Sequence, residues 1–319
     1  MNSKLKSILK ISLPLLLSVA AVWYSFSIIP FGSLVGSFKE ANYSWVILGT
    51  FLGLLSHLSR AYRWRFQLEP MGYNIKLGNS VMAVFATYLI NYTVPRAGEI
   101  ARASILTNYE GVPFEKSFGT IVSERIADMV VMLVIIAVTL FLQYDFIFTK
   151  LSESIAPLKI LIGAIAGLIL IVIIILIIRK AQSKIALKIK SFAMGLVEGI
   201  LSIFKMKKKW PFIFHTLFIW GMYILMFYVT SLSIPEITNI PFAAILIGFI
   251  LASFSIAATN GGIGSYPLAI YAAFSIFNIP EDPSIAFGWI MWTSQTLMII
   301  LFGGFSLFYL PFYNRNHSK

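Results

Sequence analysis

The sequence predicts an all-α polytopic membrane protein: six full spans plus two opposed re-entrant helical hairpins, an inverted-repeat topology, and both termini in the cytoplasm. Three observations lead there. Of 319 residues, 58% are hydrophobic and 12% charged, whereas soluble domains carry roughly 25% charged residues. Six apolar runs approach the roughly 20 residues that a membrane-crossing helix needs. Two further apolar stretches break at Pro or Gly and are followed by a short second arm. No polar stretch is long enough to fold as a separate soluble domain, so residues 1–319 read as a single transmembrane domain.

The first run, Ile11 to Ile29, follows Lys4, Lys6 and Lys10. Ser18-Val19-Ala20 resembles a signal cleavage site, but apolar residues continue through Trp23, Phe26 and Ile29, so the run reads as a full span. The other spans are Tyr43 to Leu58, Met129 to Phe141, Ile160 to Ile178, Phe212 to Ser233 and Ile285 to Leu310. Most of the 25 Lys and Arg fall before the first span, in 60–76, in 179–209 and at the C-terminus. The positive-inside rule therefore puts these segments in the cytoplasm.

Parity then requires the hairpins. Residues 60–76 lie inside, and the helix opening near Glu124 must also start inside, so the chain between them leaves and returns on one face. Gly78 to Tyr92 would be about 22 Å long at about 1.5 Å per residue, short of about 30 Å of hydrocarbon. It pairs with Gly98 to Asn108 as a re-entrant hairpin, 78–108, with Pro95 to Gly98 at the tip. The same parity makes 242–278 a second hairpin entering from the outer face, with Asn260-Gly261-Gly262-Ile263-Gly264 at its tip. The halves are 1–142 and 157–310. Between them, Ile185, Ile189, Phe192, Leu196, Ile200 and Ile203 mark 179–209 as an amphipathic cytoplasmic connector. Inverted repeats with broken helices are the architecture of carriers that bind substrate near the midplane.

Six charges sit where they are hardest to hold. Arg96, Glu99 and Arg102 follow the Pro95 break, and Glu124, Arg125 and Asp128 open the next helix. One charge at mid-depth costs at least about 2.5–3.5 kcal/mol on insertion scales. Spacing by three puts Arg96, Glu99 and Arg102 on one helix face. Arginine forks suit phosphate, and the carboxylates could orient them or take up protons. The alternative is a closed ionic network, because the six charges sum to zero.

The second tip offers Asn260, Gly261, Gly262 and Gly264 ahead of Ser265-Tyr266-Pro267. It reads either as a glycine nest for an anion at a helix N-terminus or as a tight turn within the membrane. Arg60, Arg63 and Trp64 end the second span as topology anchors or as a first docking site for an anionic headgroup. His57, His215 and His317 form no ligand-spaced pattern, and no nucleophile signature occurs, so neither metal nor cofactor is expected. The absence of Cys excludes disulfides and thiolate sites. The net charge of +12 reflects topology, and no nucleic-acid partner is expected.

R-x-x-R-W at Arg60 to Trp64, V-P-R-A-G-E-I-A-R at Val94 to Arg102, S-E-R-I-A-D at Ser123 to Asp128 and GGIG at Gly261 to Gly264 together resemble the lysylphosphatidylglycerol synthase transmembrane family. That family includes the flippase-like half of the bacterial multiple peptide resistance factor. The resemblance covers nearly the whole chain. It implies a lipid flippase or carrier in a bacterial or archaeal inner membrane, and it matches the six charges to the family's polar motifs. Two departures stand out. The cytosolic aminoacyl-transferase domain of the resistance factor is not found up to Lys319, so synthase activity is not expected. The family often has Pro before Gly-Gly and Glu after the loop, where this chain has Asn260 and Tyr266-Pro267.

The expected activity is non-ATP-driven movement of an anionic membrane lipid, a phospholipid or a polyprenyl phosphate, between leaflets. The alternatives are a membrane enzyme acting on lipid-linked sugars or phosphates and a non-transporting scaffold. Oligomeric state is left open.

Overall fold

Ten α-helices and two 3-10 turns order the described residues of the computed structural model. Those residues are 3–94, 97–145, 149 and 206–315, with side chains from residue 15 onward. The expected span Ile160 to Ile178, His317 and nearly all of the 179–209 connector lie outside them. There is no strand among the described residues.

Two compact units divide the chain: Met1–Glu124 with Trp210–Lys319, and Arg125–Lys209. In the first, α1 (Ser3–Ile28) stops ahead of Pro30, and α2 (Phe31–Glu40) leaves at 85° to Leu15–Ile28. Proline bars the preceding residue from helical geometry, and its fixed φ then suits a helix start. Asn42 caps α3 (Tyr43–Leu68), its side chain accepting from the Ser44 N–H at 3.1 Å. That helix runs a further ten residues past the apolar run, through Arg60, Arg63 and Arg65.

The two expected hairpins are helical pairs. α4 (Leu77–Thr93) ends just before Pro95, and α5 (Ala97–Glu110) returns along it. Side chains pin the pair at both ends. At the base, the Glu110 carboxylate accepts from the Lys76 N–H at 3.1 Å and from Asn79 Nδ2 at 2.5 Å, and Asn79 exchanges bonds with Asn314 at 2.7 and 2.9 Å. At the tip, the Gly98 N–H donates to Asn91 Oδ1 at 2.8 Å. The second pair is α8 (Phe242–Ala258) and α9 (Ser265–Ser275), which pack together after the glycine turn.

α6 (Phe114–Leu142) starts ten residues before Glu124, and α7 (Lys209–Ser231) and α10 (Glu281–Tyr313) complete the set. α10 packs against both α4 and α9, so one helix touches both hairpins. Among the described residues α6, α7 and α10 are long and apolar enough to cross a membrane, with a fourth if the bent pair counts as one span. The first unit buries Trp64, Leu68, Met82, Ala103, Leu106 and Ile121 in a core beneath the first hairpin. The described residues of the second unit include the remainder of α6, where Leu133, Val134, Val138 and Leu140 are exposed.

Candidate functional site

Arg60, Arg63 and Trp64 fall at helical spacing on one face of α3, and that face is buried within the protein. Arg60 is 3% exposed, Arg63 0%, Trp64 0%, Arg102 from α5 1% and Glu124 from α6 1%. Arg102 Nη1 donates to Glu124 Oε2 at 2.7 Å, and Arg63 Nε stands 3.9 Å from Glu124 Oε1. The Arg102 guanidinium lies 3.8 Å over the Trp64 ring, whose quadrupole attracts a desolvated cation. Trp64 is fixed in turn, because its Nε1 donates to Thr120 Oγ1 at 2.7 Å.

Arg63 has a second tether. Its Nη1 donates to Thr216 Oγ1 on α7 at 2.8 Å, and its guanidinium sits 5.2 Å from the Phe212 ring centroid. Thr216 spends its own proton on the Phe212 carbonyl, which leaves the hydroxyl oxygen to accept. Arg60 lies within electrostatic reach of Glu124 and is hydrogen-bonded to the Tyr223 hydroxyl, which Tyr88 and Ser56 also meet. Guanidinium groups stay charged at any accessible pH, so burying three of them demands anionic or aromatic compensation. Planar N–H forks held by second residues are what tight phosphate recognition needs.

The second site is the junction of the two hairpin tips. Asn260 is 4% exposed, and its Nδ2 reaches the Tyr92 carbonyl of α4 at 3.5 Å. Trp292 Nε1 of α10 donates to the Gly261 carbonyl at 2.8 Å, and the Tyr92 hydroxyl is 3.1 Å from Thr296 Oγ1. Two glycines are required here. Gly261 (φ 62°) would bring a Cβ to 2.5 Å from the Tyr92 ring, and Gly264 (φ 70°) would drive one into the α1 backbone at Val22.

The model of the family described as lysylphosphatidylglycerol synthase TM region matches residues 11–304. The chain belongs to that family. Like its relatives, this lysylphosphatidylglycerol synthase TM region protein is a membrane protein. It is 27% identical over 277 residues to a UPF0104 membrane protein of Methanocaldococcus jannaschii, covering 77% of this chain and 78% of the relative. No solved structure matches it.

The geometry regroups the residues that the family motifs single out. Arg102 and Glu124 join Arg60, Arg63 and Trp64, two sets that the sequence keeps apart. Arg96 lies outside the described residues. Glu99 is half-buried, with Asn91 Nδ2 3.4 and 3.5 Å from its oxygens. In the second unit, Arg125 is 42% exposed and 3.9 Å from the buried Asp128. Part of an ionic network is thus formed, with Arg102 and Arg63 meeting Glu124 and Arg60 acting on it electrostatically.

Sequence reasoning missed Asn91, Thr120, Thr216, Tyr92 and Trp292. Thr216 carried a signal, standing beside His215 as a polar pair inside a mostly apolar helix. Ser59 Oγ lies 2.8 Å from His215 Nδ1, and His57 packs 4.5 Å from the Tyr88 ring. Among the described residues no group of three or more His, Cys, Asp or Glu could hold a metal.

Proposed function

We propose that this protein carries an anionic lipid, a phospholipid or a polyprenyl phosphate, between the leaflets of a bacterial or archaeal inner membrane without ATP. On this reading it is a carrier, not an enzyme. One observation carries the proposal: Arg60, Arg63 and Arg102 are all buried, and Arg63 and Arg102 converge on the buried Glu124 carboxylate. Fixed cationic forks inside a membrane protein mark a substrate path by default, and a lipid phosphate is the anion that a bilayer supplies.

The meeting of the hairpin tips at Tyr92 and Gly261 supports the same reading. With α4/α5 entering from the cytoplasm and α8/α9 from the outside, a headgroup docks on the arginines and passes between the tips. Six spans, inverted halves and cytoplasmic termini belong to that scheme, since alternating access moves one repeat against the other.

Purified protein in liposomes containing fluorescent phosphatidylglycerol tests it, with dithionite bleaching to count the outer-leaflet label. Arg63→Gln and Arg102→Gln should each slow exchange between leaflets at least about 10-fold, the worth of one charge-assisted hydrogen bond of roughly 1.5–3 kcal/mol. Arg102→Lys keeps the charge but loses the fork, and should fall in between. Exchange at the wild-type rate in both Gln variants would overturn the proposal.

A further inference from the structure

The route proposed for the headgroup runs between the hairpin tips, and in this structure the tips touch. A Cβ added at Gly261 would lie 2.5 and 2.6 Å from two carbons of the Tyr92 ring. Carbon atoms pack at about 3.5–4.0 Å, so the gap is too narrow even for a methyl group and admits no phosphate. On the carrier reading the path is shut at this point, and exchange requires Tyr92 and Gly261 to part.

The two sides of the contact are held differently. On one side, Trp292 Nε1 of α10 donates to the Gly261 carbonyl at 2.8 Å, and Gly264 of the same turn lies against the α1 backbone at Val22. The glycine turn is thus held by two flanking helices. On the other side, Tyr92 sits in the last turn of α4, which ends at Thr93, and both Thr93 and Val94 are exposed. The Tyr92 hydroxyl is 3.1 Å from Thr296 Oγ1 of α10, a neutral pair in which either oxygen can donate. Across the seam itself, Asn260 Nδ2 reaches the Tyr92 carbonyl at 3.5 Å, which is long for a hydrogen bond.

The base of the same hairpin is bound more closely. There Asn79 and Asn314 exchange bonds at 2.7 and 2.9 Å, and the charged Glu110 accepts from Asn79 and from the Lys76 N–H. Bonds to a charged acceptor are the stronger kind, so the hairpin gives way at its tip before its base. A single neutral bond suits a latch, since it favours the closed state about fivefold and still breaks readily.

We infer that Tyr92 is a gate on the headgroup path, and that its bond to Thr296 latches the gate shut and sets the rate of exchange. This rests on the carrier reading and adds to it the step that limits turnover.

The test uses the full chain in liposomes with fluorescent phosphatidylglycerol and dithionite bleaching. Tyr92→Phe and Thr296→Val each remove the latch hydroxyl and keep the shape of the side chain. Each should speed exchange about fivefold, the worth of one neutral hydrogen bond. The double variant should be no faster than the faster single one, because both substitutions break the same bond. Asn314→Leu loosens the hairpin at its base and should not speed exchange. Rates at or below wild type in both single variants overturn the gate, because a hydroxyl pair that only supports the fold would slow exchange when lost. Multiplied effects in the double variant, or equal acceleration by Asn314→Leu, overturn it as well. The two latch substitutions lie on different helices, so misfolding of one leaves the other to decide. No exchange by the wild-type protein overturns the carrier reading and the gate together, whereas wild-type exchange that neither substitution speeds overturns the gate alone.

Discussion

Glu124→Leu removes the carboxylate on which Arg102 and Arg63 converge, at 2.7 and 3.9 Å. At an effective dielectric near 20, unit charges about 4 Å apart attract by about 4 kcal/mol. Desolvation of buried ions cancels most of this in the intact cluster, so the network itself adds little net stability. Removing one partner is different, because the desolvation remains and the attraction goes. Glu124→Leu removes the Glu124 partner from two buried guanidiniums and should cost about 3–5 kcal/mol. Arg102→Leu should cost less, since Glu124 keeps Arg63, although it also uncovers the Trp64 face. The double variant should be more stable than the sum of the two losses by at least about 2 kcal/mol, the coupling expected of residues in direct contact. Denaturant unfolding in micelles, followed by tryptophan fluorescence, gives all three values. Additive losses, or a Glu124→Leu cost below about 1 kcal/mol, would refute the claim that this carboxylate compensates the arginines.

Trp64→Phe keeps a ring beneath Arg102 but loses the bond to Thr120, so unfolding should register a loss of about 1–2 kcal/mol. Gly264→Ala meets both a left-handed backbone and the α1 chain at Val22 and should lower the melting temperature, whereas Gly304→Ala on α10 meets nothing within 4 Å and should raise stability by up to about 1 kcal/mol. Asn91→Ala removes the acceptor of the Gly98 N–H, so amide exchange at Gly98 should quicken by about fivefold, matching a lost cap of about 1 kcal/mol.

The two helical pairs were legible because their punctuation is local. The Pro95 and 261–264 glycine signals lie at breaks between helices, and the expected arms, 78–92 and 98–108, lie within one or two residues of α4 and α5. The arm beginning at Phe242 coincides with α8. Helix ends next to charges were not legible. Hydropathy marks where a run stops being apolar, and α3 and α6 both continue through charged residues, of which Arg60, Arg63 and Glu124 are buried. The burial of 60–64 was not legible for the same reason, since a basic residue after an apolar run looks identical whether a neighbour covers it or water does.

By itself the sequence determined the membrane class, the helical content, the two broken pairs and the list of costly charges, because each depends on residues within a turn or two of one another. Only tertiary structure decided which charges meet. Arg63 finds Thr216 across 153 positions, Arg102 finds Glu124 across 22, and Tyr92 finds Thr296 across 204. Those pairings are set by which helix faces pack together. Helix packing is a property of the whole assembly of apolar faces, and no local window of sequence contains it.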